Sequence, residues 1–320
     1  MNNPWKNIKT PSKDVSALRV DSEHPLDLFW AKDHKDRYLF VYEYPSTSKI
    51  IIKEPPNLFG IEAITGKSDK STARLILILK DKTDWELFYS LCKDLLRATH
   101  KSRSPETASS IILTRLRRWQ NFLKKNRPNI LPEEKIKGLL GELTFIRNQL
   151  IPKYGCTDAI KFWQGPEGAP QDFNVNQAAI EVKCQMGGST PNIKISSADQ
   201  LHTQLSELYL YVVTMGKSDE RNKDSVNLNQ MVRHIQILLD KESSSSNSRF
   251  EDLLMEAGYV YNKKYEDYNY VISGFQVFKV IENFPRITPS DLKSGIIKIS
   301  YNISLADCAP YEIELNKWTF

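Results

Sequence analysis

The sequence predicts an α/β protein. A helix, three strands, a second helix and a further strand follow one another within residues 101–240, after a β-rich segment (1–100) and before a mixed α+β segment (241–320). Three observations predict this order. Residues 172–184 alternate apolar and polar side chains on either side of the turn-like pair Asn176-Gln177, the pattern of a β-hairpin. Residues 132–150 place Ile136, Leu139, Leu143, Ile146 and Leu150 on one helical stripe, with Pro132 suited to a first turn. Residues 208–215 read as a strand. At 320 residues the chain exceeds the usual size of one domain, so two or three are expected.

In chain order, residues 38–44, 49–53 and 73–80 are strand-like and 85–99 read as a helix, with no catalytic constellation among them. A second helix follows Ser104-Pro105. Ile112, Leu116, Trp119 and Leu123 form its apolar stripe, and Arg115, Arg117, Arg118, Lys124 and Lys125 surround it. Residues 97–137 hold eleven lysines and arginines against three glutamates, although the whole chain nets only +5. Arg117, Arg118 and Lys124 are therefore candidate contacts to nucleic-acid phosphates; a solvated helix face would have the same composition.

The hairpin carries the chemistry. With Val175 paired to Ala178, Asp172 falls directly opposite Glu181, and Lys183 shares their face, with Cβ atoms of opposed residues ~5 Å apart. Phe173, Val175, Ile180, Val182 and Cys184 then point the other way, into a core. Two opposed carboxylates repel each other unless a cation lies between them. Lys183 is one such cation, and a hard divalent ion suits two carboxylates with no His or thiolate on their face. A plain Glu181–Lys183 surface pair is the alternative, but these two residues interrupt an otherwise apolar strand. Glu142 lies at the margin of the preceding helical stripe, with Gly138 one turn before it; a solvated helix-edge glutamate reads the same way.

Asp172 followed nine residues later by Glu181-Val182-Lys183 resembles the motif of the PD-(D/E)XK, restriction-endonuclease-like nuclease superfamily, whose core runs helix, three strands, helix, strand. The expected order around the motif is similar: the helix over 132–150, a short strand over 159–163, the hairpin, a helix from about Ser197, then the strand over 208–215. The resemblance implies that Asp172, Glu181 and the carbonyl of Val182 hold Mg²⁺, for which Mn²⁺ can substitute. It implies that Lys183 orients or deprotonates the attacking water, and that Glu142, within Gly141-Glu142-Leu143, is a further acid reaching the metal. Ser197, at an expected N-cap, and Gln200, in the first turns of its helix, become substrate-binding candidates. Two departures stand out: Gln204 occupies the place where exonuclease-like branches have Tyr, and Gln171 separates Pro170 from Asp172.

The whole chain also resembles bacterial PD-(D/E)XK-motif proteins associated with restriction and phage defence. The implied activity is a DNA endonuclease acting on double strands, with other restriction or defence subunits as partners. One copy of the motif aligns one water with one phosphate, so a double-strand break calls for a homodimer or two successive nicks. A non-catalytic DNA-binding or assembly subunit keeping the fold, and an RNA-cleaving or DNA-repair nuclease, are compatible with the same residues.

Cys92, Cys156, Cys184 and Cys308 form no CxxC pair and the five histidines show no zinc spacing. There is no GxxxxGK[ST] loop. No apolar run approaches ~20 residues and Met1-Asn2-Asn3-Pro4-Trp5 does not resemble a signal peptide, so a cytoplasmic protein with no membrane association is expected. Towards the C-terminus, residues 217–225 read as a charged loop, 228–240 as an amphipathic helix, 243–248 as a flexible serine-rich linker or loop and 250–257 as a short helix. Tyr259, Tyr261, Tyr265, Tyr268 and Tyr270, interleaved with Lys263 and Lys264, suit either base stacking or a half-buried sheet.

Overall fold

A computed structural model describes residues 2–47, 52, 54–67, 69–125, 130–188, 191–242 and 244–320. The chain forms two compact units, Met1–Asn129 with Val260–Asn262, and Ile130–Tyr259 with Lys263–Phe320. The basic helix thus belongs to the first unit and most of the C-terminal segment to the second.

The first unit is built on an antiparallel sheet of β1 (Val15–Arg19), β2 (Asp27–Asp33), β3 (Tyr38–Pro45), β4 (Ile61–Lys67) and β5 (Thr72–Leu79), in the order β1-β2-β3-β5-β4. Two of these strands, β3 and β5, follow the sequence pattern closely. Lys49, Ile50, Ile51 and Lys53, of the expected strand over 49–53, lie outside the described residues. Two helices follow, α1 (Trp85–Thr99) and α2 (Pro105–Lys125). Trp5 is fully buried, stacked on Tyr38 and Phe88, and donates its indole N–H to the Leu39 carbonyl at 2.8 Å. The stripe Ile112, Leu116, Trp119 and Leu123 on α2 is buried, as its spacing requires. Arg115 departs from the basic surface: it pairs with buried Asp94 of α1, which also accepts from the Trp119 indole at 2.9 Å. Arg117, Lys124 and Lys125 are exposed and Arg118 half-buried.

The second unit opens with α3 (Glu133–Phe145), which runs through a π-helical turn (Ile146–Leu150) into α4 (Ile151–Lys161), broken at Gly155 with φ 76°. The hairpin of β6 (Phe173–Val175) and β7 (Ala178–Met186) is paired in the expected register, Val175 against Ala178 and Phe173 against Ile180, with Asn176 at φ 54° in the turn. β8 (Asn192–Ile195), β9 (Glu207–Ser218) and β10 (Ser225–Val226) follow, then α5 (Leu228–Glu242), α6 (Ser244–Glu256), β11 (Asn269–Lys279), β12 (Tyr301–Ser304), α7 (Leu305–Cys308) and β13 (Glu312–Ile313). The central sheet has the order β10-β11-β9-β7-β6, with β13 beside β11, and β7 parallel to β9.

Both faces of β7 and β9 are covered. Ile180, Val182, Tyr209, Tyr211 and Val213 pack with residues of α3 to α6. Ala179, Leu208, Leu210 and Val212 pack with Ile193, Ile195 and Ile303 of the β8–β12 pair. A parallel strand pair buried on both faces explains the near-continuous apolar run of residues 208–213. Tyr259, Tyr265 and Tyr270 are buried in the larger of these two cores, so they serve packing.

Several sequence expectations are corrected. No strand forms over 159–163: Cys156, Ala159 and Ile160 are buried at helical spacing in α4, and the stretch meets the sheet only at its end, where Trp163 forms an isolated bridge to Phe173 and the Phe162 carbonyl accepts the Asn174 N–H at 3.1 Å. The helix expected from Ser197 is one 3₁₀ turn, Ala198–Leu201, whose Ser197 makes no side-chain cap bond. The carbonyls a longer helix would use are held by Gln171 instead. The serine run is not a linker, since α6 begins at Ser244; Ser243 lies outside the described residues. Among the described residues no helix is long and apolar enough to cross a membrane.

Candidate functional site

Asp172 ends the loop before β6, and Glu181 and Lys183 stand one residue apart on one face of β7. The register extends so that the Asp172 carboxylate reaches across and accepts the Val182 backbone N–H at 2.8 Å. Its carbonyl accepts two further N–H groups, from Gln164 at 2.9 Å and Gly165 at 3.0 Å. A Cβ on Gly165 would lie 2.9 Å from Asp172 Oδ1, so only glycine lets this loop close over the carboxylate.

Glu181 is buried to 1% exposure. Its Oε1 pairs with Lys183 Nζ at 2.6 Å and accepts from Gln200 Nε2 at 2.7 Å. Its Oε2 is buried with no hydrogen-bond partner. Gln200 Oε1 in turn accepts from Lys183 Nζ at 3.2 Å, so Gln200 joins the acid and the lysine although its helix is absent. Ser197 is next to this turn and half-buried, and no side-chain bond links it to the acids.

Glu142 arrives from α3. Gly141 faces β7, where an added Cβ would overlap Cys184 Sγ and meet Val182 Cγ1 at 3.6 Å and Val213 Cγ2 at 3.8 Å. Gly141 therefore permits the close helix–strand approach that brings Glu142 to the site; around Gly138, by contrast, a Cβ would meet nothing within 4 Å. Glu142 Oε2 accepts the Trp163 indole N–H at 2.7 Å.

These groups share one electrostatic environment. Burial, and then the charge of Asp172, push the Glu181 carboxyl up to about 8, against the pull of Lys183. Burial raises Asp172, with Lys183 opposing it. Glu142 is raised well above the usual carboxylate range by burial and by Asp172. Burial disfavours a charged Lys183, but Glu181 and Asp172 outweigh it and hold the ammonium protonated. The site is thus short of positive charge.

Among the described residues, no three His, Cys, Asp or Glu side chains already stand together as a metal cage. The donor chemistry nonetheless suits a hard cation: the available groups are carboxyl and carbonyl oxygens, and Glu181 Oε2 is a buried carboxyl oxygen with no hydrogen-bond partner. Arg117, Arg118 and Lys124 lie on α2 of the first unit, apart in sequence and unit from these acids. Sequence reasoning missed Trp163, Gly165 and Gln171. Gly165-Pro166 is a legible turn signal and Gln171 adjoins the motif, whereas nothing in the sequence marked Trp163 as a partner of Glu142.

An acid before a hairpin, Glu-x-Lys on its second strand and a helix acid beside them are the arrangement of the PD-(D/E)XK class. Residues 1–306 match the family described as "Putative PD-(D/E)XK family member, (DUF4420)", and the chain belongs to that family. No curated protein and no solved structure matches it.

Proposed function

We propose that this protein is a Mg²⁺-dependent endonuclease that hydrolyses phosphodiester bonds of double-stranded DNA, in restriction or phage defence. The observation that carries the reading is Glu181 Oε2, a buried, unpartnered carboxylate oxygen beside a second acid that raises its proton affinity. Burial and the neighbouring Asp172 favour the protonated acid, and a bound divalent cation would take the place of that proton and stabilise the carboxylate. Asp172, Glu181 and the Val182 carbonyl would hold it, with Glu142 reaching it directly or through water; Mn²⁺ would substitute. When bound, the ion supplies charge to the phosphate oxygens and acidity to a water.

The chain's own groups do the rest. Lys183 is held as a cation by its acidic neighbours, which suits it to orient the nucleophile and stabilise charge developing on the phosphoryl group. Gln200 fixes that ammonium through its Oε1. Arg117, Arg118 and Lys124 would contact the DNA backbone without reading its sequence.

Plasmid DNA incubated with the purified chain tests the reading. Cleavage with Mg²⁺ that EDTA abolishes is expected, and Asp172→Asn should abolish it with folding intact, because one anionic ligand is lost at constant volume. Divalent ions should also raise the melting temperature of the wild type more than that of Asp172→Asn. An Asp172→Asn protein that cuts at the wild-type rate overturns the assignment, and tight DNA binding without cleavage would make the protein a binding subunit.

A further inference from the structure

Gln200 reaches Glu181 and Lys183 from a single 3₁₀ turn, so something other than a helix must hold it there. We infer that Gln171, the residue interposed in Pro170-Gln171-Asp172, is the positioning residue that sets Gln200 against Glu181. The inference rests on the reading of Asp172, Glu181 and Lys183 as the reactive site.

Gln171 is 5% exposed. Its Nε2 donates to the carbonyls of Asp199 at 2.6 Å and His202 at 2.9 Å, with the Gln200 carbonyl at 3.3 Å. Peptide carbonyls only accept, so it is the amide nitrogen that faces them. One buried side chain therefore pins the backbone on both sides of Gln200.

The orientation of Gln200 is fixed by the same logic. Its Oε1 accepts the Ser196 backbone N–H at 2.7 Å, a group that can only donate, which turns Nε2 towards Glu181 Oε1 at 2.7 Å. Lys183 Nζ binds that same oxygen. Both contacts thus fall on Oε1 and leave Oε2 open. The two amides decide which oxygen of Glu181 faces an incoming cation, and Gln171 acts on the acid only through Gln200.

The test compares Gln171→Ala, Gln200→Ala and the double variant in full-length protein, by cleavage kinetics with Mg²⁺ and by hydrogen exchange without it. Each single variant should lower kcat by roughly 10–100-fold, as loss of a residue supporting a ligand does, with KM for DNA little changed. The double variant should be no worse than Gln200→Ala alone, because residues acting in series do not add. Exchange should quicken over 196–202 in Gln171→Ala and stay at the wild-type rate elsewhere. Wild-type kcat in Gln171→Ala, or losses that multiply in the double variant, would overturn the inference. Should the wild type cut no DNA, the functional reading fails by itself, and exchange still decides the positioning: unchanged protection over 196–202 rejects it. Gln171→Met keeps the volume and removes the donor, and replaces the alanine variant if that one does not fold.

Discussion

Replacing Gly141 with Ala tests how α3 delivers Glu142, because two effects of opposite sign compete at that position. In a helix interior the change normally stabilises by about 1 kcal/mol. Here the new methyl would overlap Cys184 Sγ, with Val182 and Val213 close behind. The sulfur cannot easily yield, since it donates to the Lys137 carbonyl at 3.1 Å and lies between strand and helix. Forcing a methyl into such a packed contact costs about 3 kcal/mol, the upper part of the overpacking range. The net expectation is a loss of about 2 kcal/mol, measured by urea denaturation and followed by a tryptophan signal from the second unit. Cys184→Ala should relieve the overlap, so that Gly141→Ala/Cys184→Ala is more stable than the two single changes summed. Because α3 must retreat to admit the methyl, Gly141→Ala should also lower cleavage and the double variant should recover part of it. A Gly141→Ala protein more stable than wild type would refute the close contact and the placement of Glu142 that depends on it.

Glu181 supplies a pH test: its carboxyl titrates at about 8 in the folded chain against 4.5 unperturbed. Between those values the folded state keeps a proton that the unfolded chain has released, so stability is fully present below about 4.5 and falls as pH rises through about 8. Melting temperatures in EDTA should show this decline, Glu181→Gln should flatten it, and Mg²⁺ at pH 8 should reverse it. Asp94→Ala should destabilise the first unit by about 1–3 kcal/mol in chemical denaturation, because it removes the buried acceptor of the Trp119 indole N–H and the charge partner of half-buried Arg115. Changing Arg117, Arg118 and Lys124 together to Ala should flatten the salt dependence of DNA binding by ~0.9 log unit per lost phosphate contact; an unchanged slope would make that face merely solvated.

The hairpin was legible because its register depends on a period of two: once Asn176-Gln177 is the turn, the opposition of Asp172 and Glu181 follows, and the pairing of Val175 with Ala178 agrees. The α2, α3 and α5 stripes were legible for the matching reason at helical period. What escaped was set by distant partners. Residues 159–163 are apolar enough for a strand, and the stripe of Cys156, Ala159 and Ile160 decided for helix. The turn at Ala198–Leu201 has helical composition, but Gln171 takes carbonyls that a helix would need. Strands β1, β2 and β4 went unseen since β1 and β4 are largely exposed and carry little apolar alternation. Gly141 rather than Gly138 proved the close-packed glycine, a distinction only the facing Cys184 reveals.

The pairing of β8 with β12 has a consequence for how the protein is made. Ile195 meets Tyr301, and Ile193 meets Ile303, so the cover over the Ala179 and Glu181 face of β7 is closed by a segment synthesised long after the acids themselves. During translation α3 and the residues of β6 and β7 leave the ribosome well before that cover does. Pairings of such sequence separation also form late in folding, because loop closure must precede any gain from them. The cover is therefore the late-arriving part of the site, and truncation before Tyr301 should leave the acidic face of β7 open to solvent.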